Sequence, residues 1–275
     1  MLLIENGYMI DPKSGREGQL DILTEGKKIK KIGSGLRNRL TCAELKECQI
    51  IDAAGLIVAP GLVDVHVHFR EPGFTHKEDI TTGAKSAARG GVTTVVLMAN
   101  VKPQVDNPET LQYILERGKS TEIHVETCAN VTLGMQGKAL IDMQALAAAR
   151  AVGFTDDGVP IMDAELVKAA MEQVKALDMP ISFHEENPAL ITNNGIHRGK
   201  ASEFFGIGGS PEVAEISLVM MYSLSLWSAI IWIIALSAPE RTKAVSARLP
   251  RARLTASITI DLPAPVSPVM ILRPS

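Results

Sequence analysis

Pro60-Gly61-Leu62-Val63-Asp64-Val65-His66-Val67-His68-Phe69-Arg70-Glu71-Pro72-Gly73 sets two histidines two positions apart on a β-prone apolar run. Side chains alternate faces along a strand, so His66 and His68 are expected on one side, with Val65 and Val67 packing behind them. Two imidazoles held on one rigid strand are a preorganised pair of nitrogen donors for Zn²⁺ or a related divalent ion. A bare H-x-H is equally compatible with a surface strand that happens to carry histidines. The Pro-Gly entry and the Arg-Glu-Pro-Gly exit favour the metal reading here.

Working outward, strand and helix signals alternate from about residue 56. Val63–His68, Thr93–Met98, Ile123–Thr127, Gly153–Thr155 and Ile181–His184 read as strands. Asp79–Arg89, Pro108–Lys119, Ala139–Arg150 and Asp163–Leu177 read as helices, with Pro108 favourable in a first turn and Asp163 a plausible N-cap. Such alternation is that of a parallel α/β barrel. Residues 1–55 instead read as short β-segments, Leu2–Ile4, Tyr8–Ile10, Asp21–Thr24, Lys28–Ile32 and Gln49–Asp52, separated by turns such as Asn6-Gly7 and Asp11-Pro12.

The H-x-H strand resembles the first barrel strand of the amidohydrolase superfamily, and more narrowly the type I dihydroorotases. The resemblance continues through Lys77-Glu78-Asp79-Ile80, Gly90-Gly91-Val92-Thr93-Thr94-Val95, Met98-Ala99-Asn100-Val101-Lys102-Pro103, Phe154-Thr155-Asp156-Asp157-Gly158 and Phe183-His184-Glu185, and ends near Ser217. It implies an α/β fold: a metal-dependent-hydrolase TIM barrel, incomplete here, with residues 1–55 as the N-terminal part of a small β-sandwich and 56–217 as a partial barrel.

The family holds two divalent metals, typically Zn²⁺. By position, the resemblance implies His66 and His68 on one metal, Asp157 as the bridging ligand and His184 on the second. Asp156 is the adjacent alternative for the bridge. Taken alone, Asp156-Asp157-Gly158 is an ordinary turn sequence, and His184 alone would more often be a packed histidine. Arg70 and Asn100 match the family's substrate-recognition residues. A guanidinium fork fits a carboxylate, and an asparagine adds directed hydrogen bonds. A salt bridge from Arg70 to Glu71 is the competing reading. Met98-Ala99-Asn100-Val101 departs from the family's usual Met-Pro-Asn-Thr. His124 reads as structural, His76 and His197 as solvated.

The resemblance thus implies a dihydroorotase, which reversibly cyclises N-carbamoyl-L-aspartate to L-dihydroorotate in pyrimidine biosynthesis. Arg70 speaks against a sister allantoinase or hydantoinase, because dihydroorotate carries a ring carboxylate. The family also uses a later histidine and a later aspartate. After Ser217 this chain has no histidine, and Glu240 and Asp261 are its only acidic residues. A catalytically inactive fragment is therefore the alternative expectation.

Composition changes at the same place. All 22 glycines precede residue 218, and 218–275 also lacks Asn, Gln, His, Cys and Phe. That segment is expected to be an unrelated tail, out of frame or disordered. Ile216–Ala238 is apolar enough to suggest a membrane span; its serines and basic flank argue against one.

With 46% hydrophobic residues and a net charge of −3, the 275-residue chain suits a soluble enzyme and offers no basic surface for nucleic acid. Cys42, Cys48 and Cys128 form no C-x-x-C pair, as in a reducing compartment. No signal-peptide pattern opens the sequence. The expected setting is the cytoplasm, with a small-molecule partner, no membrane and a homodimer as the candidate assembly.

Overall fold

A computed structural model describes residues 1–26, 28–191, 193, 195–225, 257–260 and 269–272. The N-terminal region contains β1 (Leu2–Glu5), β2 (Tyr8–Asp11), β3 (Arg16–Gln19), β4 (Asp21–Glu25), β5 (Lys28–Gly33), α1 (Cys42–Glu47), β6 (Gln49–Asp52) and β7 (Ile57–Pro60). One sheet has the order β5-β4-β1-β6, and β7, β2 and β3 pair in a second. Leu2, Ile4, Met9, Ile22 and Val58 pack between the sheets. The sequence reading missed β3 and β7. The first is polar and interrupted by Gly18; the second ends on the proline that precedes the His66–His68 strand.

The chain then alternates through β8 (Leu62–Val67), α2 (Ile80–Arg89), β9 (Val92–Leu97), α3 (Pro108–Gly118), β10 (His124–Thr127), α4 (Met143–Ala148), β11 (Phe154–Thr155), α5 (Ala164–Ala176) and β12 (Ile181–Ser182). Pairing is parallel from β8 to β9, from β9 to β10 and from β11 to β12. Ala129, just past β10, bridges in parallel to Phe154 and joins the two groups. The result is mixed α/β, with a run of parallel strands behind crossover helices.

Local chemistry starts those helices where the sequence indicates. Asp79 accepts from Thr82 N–H at 2.8 Å, Asn107 from Thr110 N–H at 2.9 Å with Pro108 following, and Asp163 from Glu165 N–H at 3.0 Å. Apolar faces of α3 and α5, including Leu111, Ile114, Val167 and Ala170, are buried against the strands together with Val95, Leu97 and Phe154. Phe69 packs so closely on α2 that a Cβ at Gly83 would lie 2.5 Å from its ring.

One expectation fails on β8. Val67 packs against the core, but Val65 is 54% exposed. Among the described residues β8 is an edge strand, and its first half, including Val63 and Val65, is left exposed.

The chain continues through α6 (Lys200–Phe205) and α7 (Val213–Ser225) to the strands β13 (Ser257–Ile260) and β14 (Val269–Leu272). Ser217 is therefore internal to α7. Leu218 and Tyr222 are buried beyond it, and the Tyr222 hydroxyl donates to Ile161 C=O at 2.6 Å. β14 pairs antiparallel with β7, and β13 with β14. The remainder of the expected tail lies outside the described residues. No described helix is long and apolar enough to cross a membrane.

Candidate metal centre

His66 and His68 stand at the C-terminal end of β8 with their rings edge-on, centroids 5.2 Å apart. Asp157 approaches from the turn after β11. Its Oδ2 lies 3.5 Å from His66 Nε2 and 3.4 Å from His68 Nε2. Its Oδ1 faces the other way, 3.5 Å from His184 Nδ1 beyond β12. Three elements distant in sequence thus converge because parallel strands bring their C-terminal ends to one side of a sheet. His66, His68 and Asp157 each offer a ligand atom within 4.8 Å of the others, a donor set suited to a divalent cation.

Neighbouring groups orient this set. His68 Nδ1 donates to Asn100 Oδ1 at 3.0 Å, which leaves Nε2 as the lone-pair nitrogen facing Asp157. Asn100 Nδ2 also donates to the Asp157 backbone carbonyl at 3.3 Å. Burial, opposed by the Asn100 bond, pushes the His68 pKa down and favours the neutral imidazole a metal requires. The His184 hydrogen bond, against the cost of burial, holds the Asp157 carboxyl below its usual range. That same bond raises the His184 pKa. His184 Nε2 meets Glu186 Oε2 at 3.2 Å.

Asp156, the adjacent alternative, is engaged elsewhere. It is buried and accepts from Val131 N–H at 2.8 Å, from Thr132 N–H at 3.1 Å and from the Thr132 hydroxyl. Its carboxylate serves the loop after β10.

Arg70 directly follows the histidine strand at φ 57°, an uncommon conformation for a residue with a side chain. It lies close enough for its charge to disfavour protonation of His68. The competing salt bridge to Glu71 does not form. Glu71 is buried and instead accepts from Arg117 Nε at 2.9 Å, Tyr113 hydroxyl at 2.8 Å and Ile80 N–H at 2.9 Å. His124 is half-buried on β10, and His76 and His197 are exposed outside the group.

Two features escaped the sequence reading. Glu186 sits two positions after His184, a spacing that alternation along an extended segment could have flagged. The role of Asn100 as a partner of His68 had no local signal, because 32 residues separate them.

The family model described as Dihydro-orotase-like matches residues 55–229. The chain belongs to the dihydro-orotase-like family. It is 52% identical over 216 residues to the dihydroorotase of Clostridioides difficile strain 630, covering 78% of this chain and 50% of that protein. It is 50% identical over 215 residues to the dihydroorotase of Clostridium acetobutylicum, covering 78% of this chain and 49% of that one. This dihydro-orotase-like chain spans about half the length of the curated relatives it matches.

Among solved structures, the L-hydantoinase of Arthrobacter aurescens is similar with a TM-score of 0.65 at 19% identity, over 83% of this chain and 51% of that one. The D-hydantoinase of a Thermus species follows at a TM-score of 0.61 and 24% identity, over 82% and 50%. At that identity the likeness concerns the fold alone.

Proposed function

We infer that this chain is the metal-binding portion of a cytoplasmic dihydroorotase, acting reversibly between N-carbamoyl-L-aspartate and L-dihydroorotate. The observation that carries this reading is the divided Asp157 carboxylate, with Oδ2 toward His66 and His68 and Oδ1 toward His184. A carboxylate turned both ways suits a bridge between two cations, and the family's usual Zn²⁺ fits this N/O donor set. The parallel strand run is read as part of a (β/α)₈ barrel, which typically takes about 250 residues.

A bound divalent ion would supply a strongly acidified water and polarise the substrate carbonyl. The chain's own residues do the rest. His66 and His68 present Nε2 donors, with His68 held in one tautomer by Asn100. Arg70, which Glu71 does not engage, would grip the substrate carboxylate through its planar fork; that Glu71 takes Arg117 instead supports this reading. Asn100 reaches both His68 and Asp157, so its part in substrate recognition is joined to keeping the ligands aligned. The small molecule is the expected partner; neither nucleic acid nor a membrane enters this reading, and a homodimer is the proposed assembly.

The test is reconstitution of purified protein with Zn²⁺, followed by dihydroorotate hydrolysis and metal analysis. Turnover that a chelator abolishes and His66→Ala lacks supports the reading. Metal bound through His66 and His68 without turnover identifies a binding-only portion. Failure to bind metal overturns both.

A further inference from the structure

The histidines around Asp157 each turn one nitrogen toward it at nearly the same distance. His66 Nε2 and His68 Nε2 stand 3.5 and 3.4 Å from Oδ2, and His184 Nδ1 stands 3.5 Å from Oδ1. His184 therefore faces the carboxylate with the opposite ring nitrogen from the other two. Its remaining nitrogen, Nε2, lies 3.2 Å from Glu186 Oε2, within the ordinary range for an N–H···O bond. Asp157 Oδ1 is the more distant acceptor. A neutral imidazole carries a single N–H, so the closer carboxylate takes it and Nδ1 keeps its lone pair.

The backbone holds Glu186 in this place. Its N–H donates to His184 C=O at 3.1 Å, which turns the chain back toward the ring. The next residue is pinned as well. Asn187 N–H donates to Ala214 C=O at the start of α7 at 2.9 Å, and the Asn187 side chain accepts from Ala189 N–H at 3.0 Å. Glu186 is thus fixed between the ligand it touches and a helix packed on the far side.

We propose that Glu186 is a positioning residue of the metal centre: its carboxylate holds the His184 ring with Nε2 protonated and Nδ1 presented beside Asp157 Oδ1. Asn100 does the corresponding work for His68, at the other ring nitrogen and with an amide oxygen. The two outer partners differ in charge. A carboxylate behind an imidazole raises its strength as a donor, so the His184 side of the bridge is the one backed by an anion. The consequence for metal rests on the two-cation reading given above; the tautomer belongs to the chain itself.

The experiment is NMR of the imidazole nitrogens of the full chain without metal, on the alkaline side of the His184 titration, followed by addition of Zn²⁺. His184 is expected to carry its proton on Nε2 alone. Glu186→Ala is expected to mix the two tautomers and to weaken Zn²⁺ at His184 by about 10–100-fold, while His66 and His68 respond to Zn²⁺ as before. Glu186→Gln keeps an oxygen acceptor and is expected to restore the tautomer. Glu186→Leu fills the same space without an acceptor and is expected to fail as Ala does, which separates hydrogen bonding from packing. A His184 protonated on Nδ1 in the unaltered chain, a tautomer unmoved by Glu186→Ala, or restoration by Leu as well as by Gln would each overturn the proposal. Binding of Zn²⁺ at His66 and His68 alone, or nowhere, would sink the two-cation reading and leave the tautomer to decide the role of Glu186.

Discussion

Asp156 and Asp157 are consecutive yet serve different parts of the molecule. Asp156 turns into the protein toward Val131 and Thr132, and Asp157 turns out toward three histidines. The strand-to-turn transition after Thr155 separates them, as successive residues of an extended segment point to opposite sides.

Substitution should therefore split their effects. Asp156→Ala leaves buried backbone N–H groups without an acceptor, each costing about 1–3 kcal/mol. It is expected to lower the melting temperature of the metal-free protein markedly. Asp157→Ala is expected to leave that temperature within a few degrees while abolishing tight Zn²⁺ binding. Thermal melts with parallel metal titrations check this, and equal destabilisation by both variants would refute it.

Asn100→Ala removes the acceptor that fixes the His68 tautomer. Loss of such an outer partner commonly costs about 10–100-fold in metal affinity. Competition with a chromophoric chelator measures it, and an unchanged affinity would count against the orientation role.

The Asp157–His184 pair predicts a pH window. Asp157 is lowered in the folded protein, so its contribution is present above its unfolded pKa and is lost as pH falls through the folded value. His184 is raised, so its contribution is complete below its unfolded pKa and is lost as pH rises through the folded value. Without metal, the pair's contribution is complete between the two unfolded values and is lost on either side as pH crosses the folded ones. Metal needs the neutral imidazole, so Zn²⁺ affinity should increase as pH rises through the raised His184 pKa, with proton release on binding. Calorimetry in buffers of different ionisation enthalpy would show that release; its absence near the His184 transition would contradict the assignment.

Glu71 ties the end of the histidine strand to α2 and α3. Burial opposes its ionisation, but hydrogen bonds from Ile80 N–H, Tyr113 and Arg117 outweigh that and hold the carboxyl below its usual range. Glu71→Ala is expected to cost about 1–3 kcal/mol by orphaning the buried Ile80 N–H. Arg117→Ala should cost less, because its side chain is 45% exposed. Urea melts of the two variants give the comparison, and the reverse order would sink it.

Much of the architecture was legible because its causes are local. Asp79, Asn107-Pro108 and Asp163 mark helix starts through side chains that reach the next turn. The runs Val92–Leu97 and His124–Thr127 are recognisable from β-branched residues and alternation. Exposure of Val65 was not legible: alternation gives the face a side chain takes, and what covers that face depends on strands elsewhere.

The sequence by itself determined the ligand types, the pairing of His66 with His68 on one strand face and the order of strands and helices, since each follows from chemistry within a few residues. Tertiary structure alone decided that Asp157 rather than Asp156 meets the histidines, that Glu71 takes Arg117 and leaves Arg70, and that Asn100 holds His68. Those pairings join residues 27 to 91 positions apart, or choose between neighbours by the side they face. Only the packing of parallel strands brings such groups within hydrogen-bonding or ligating distance.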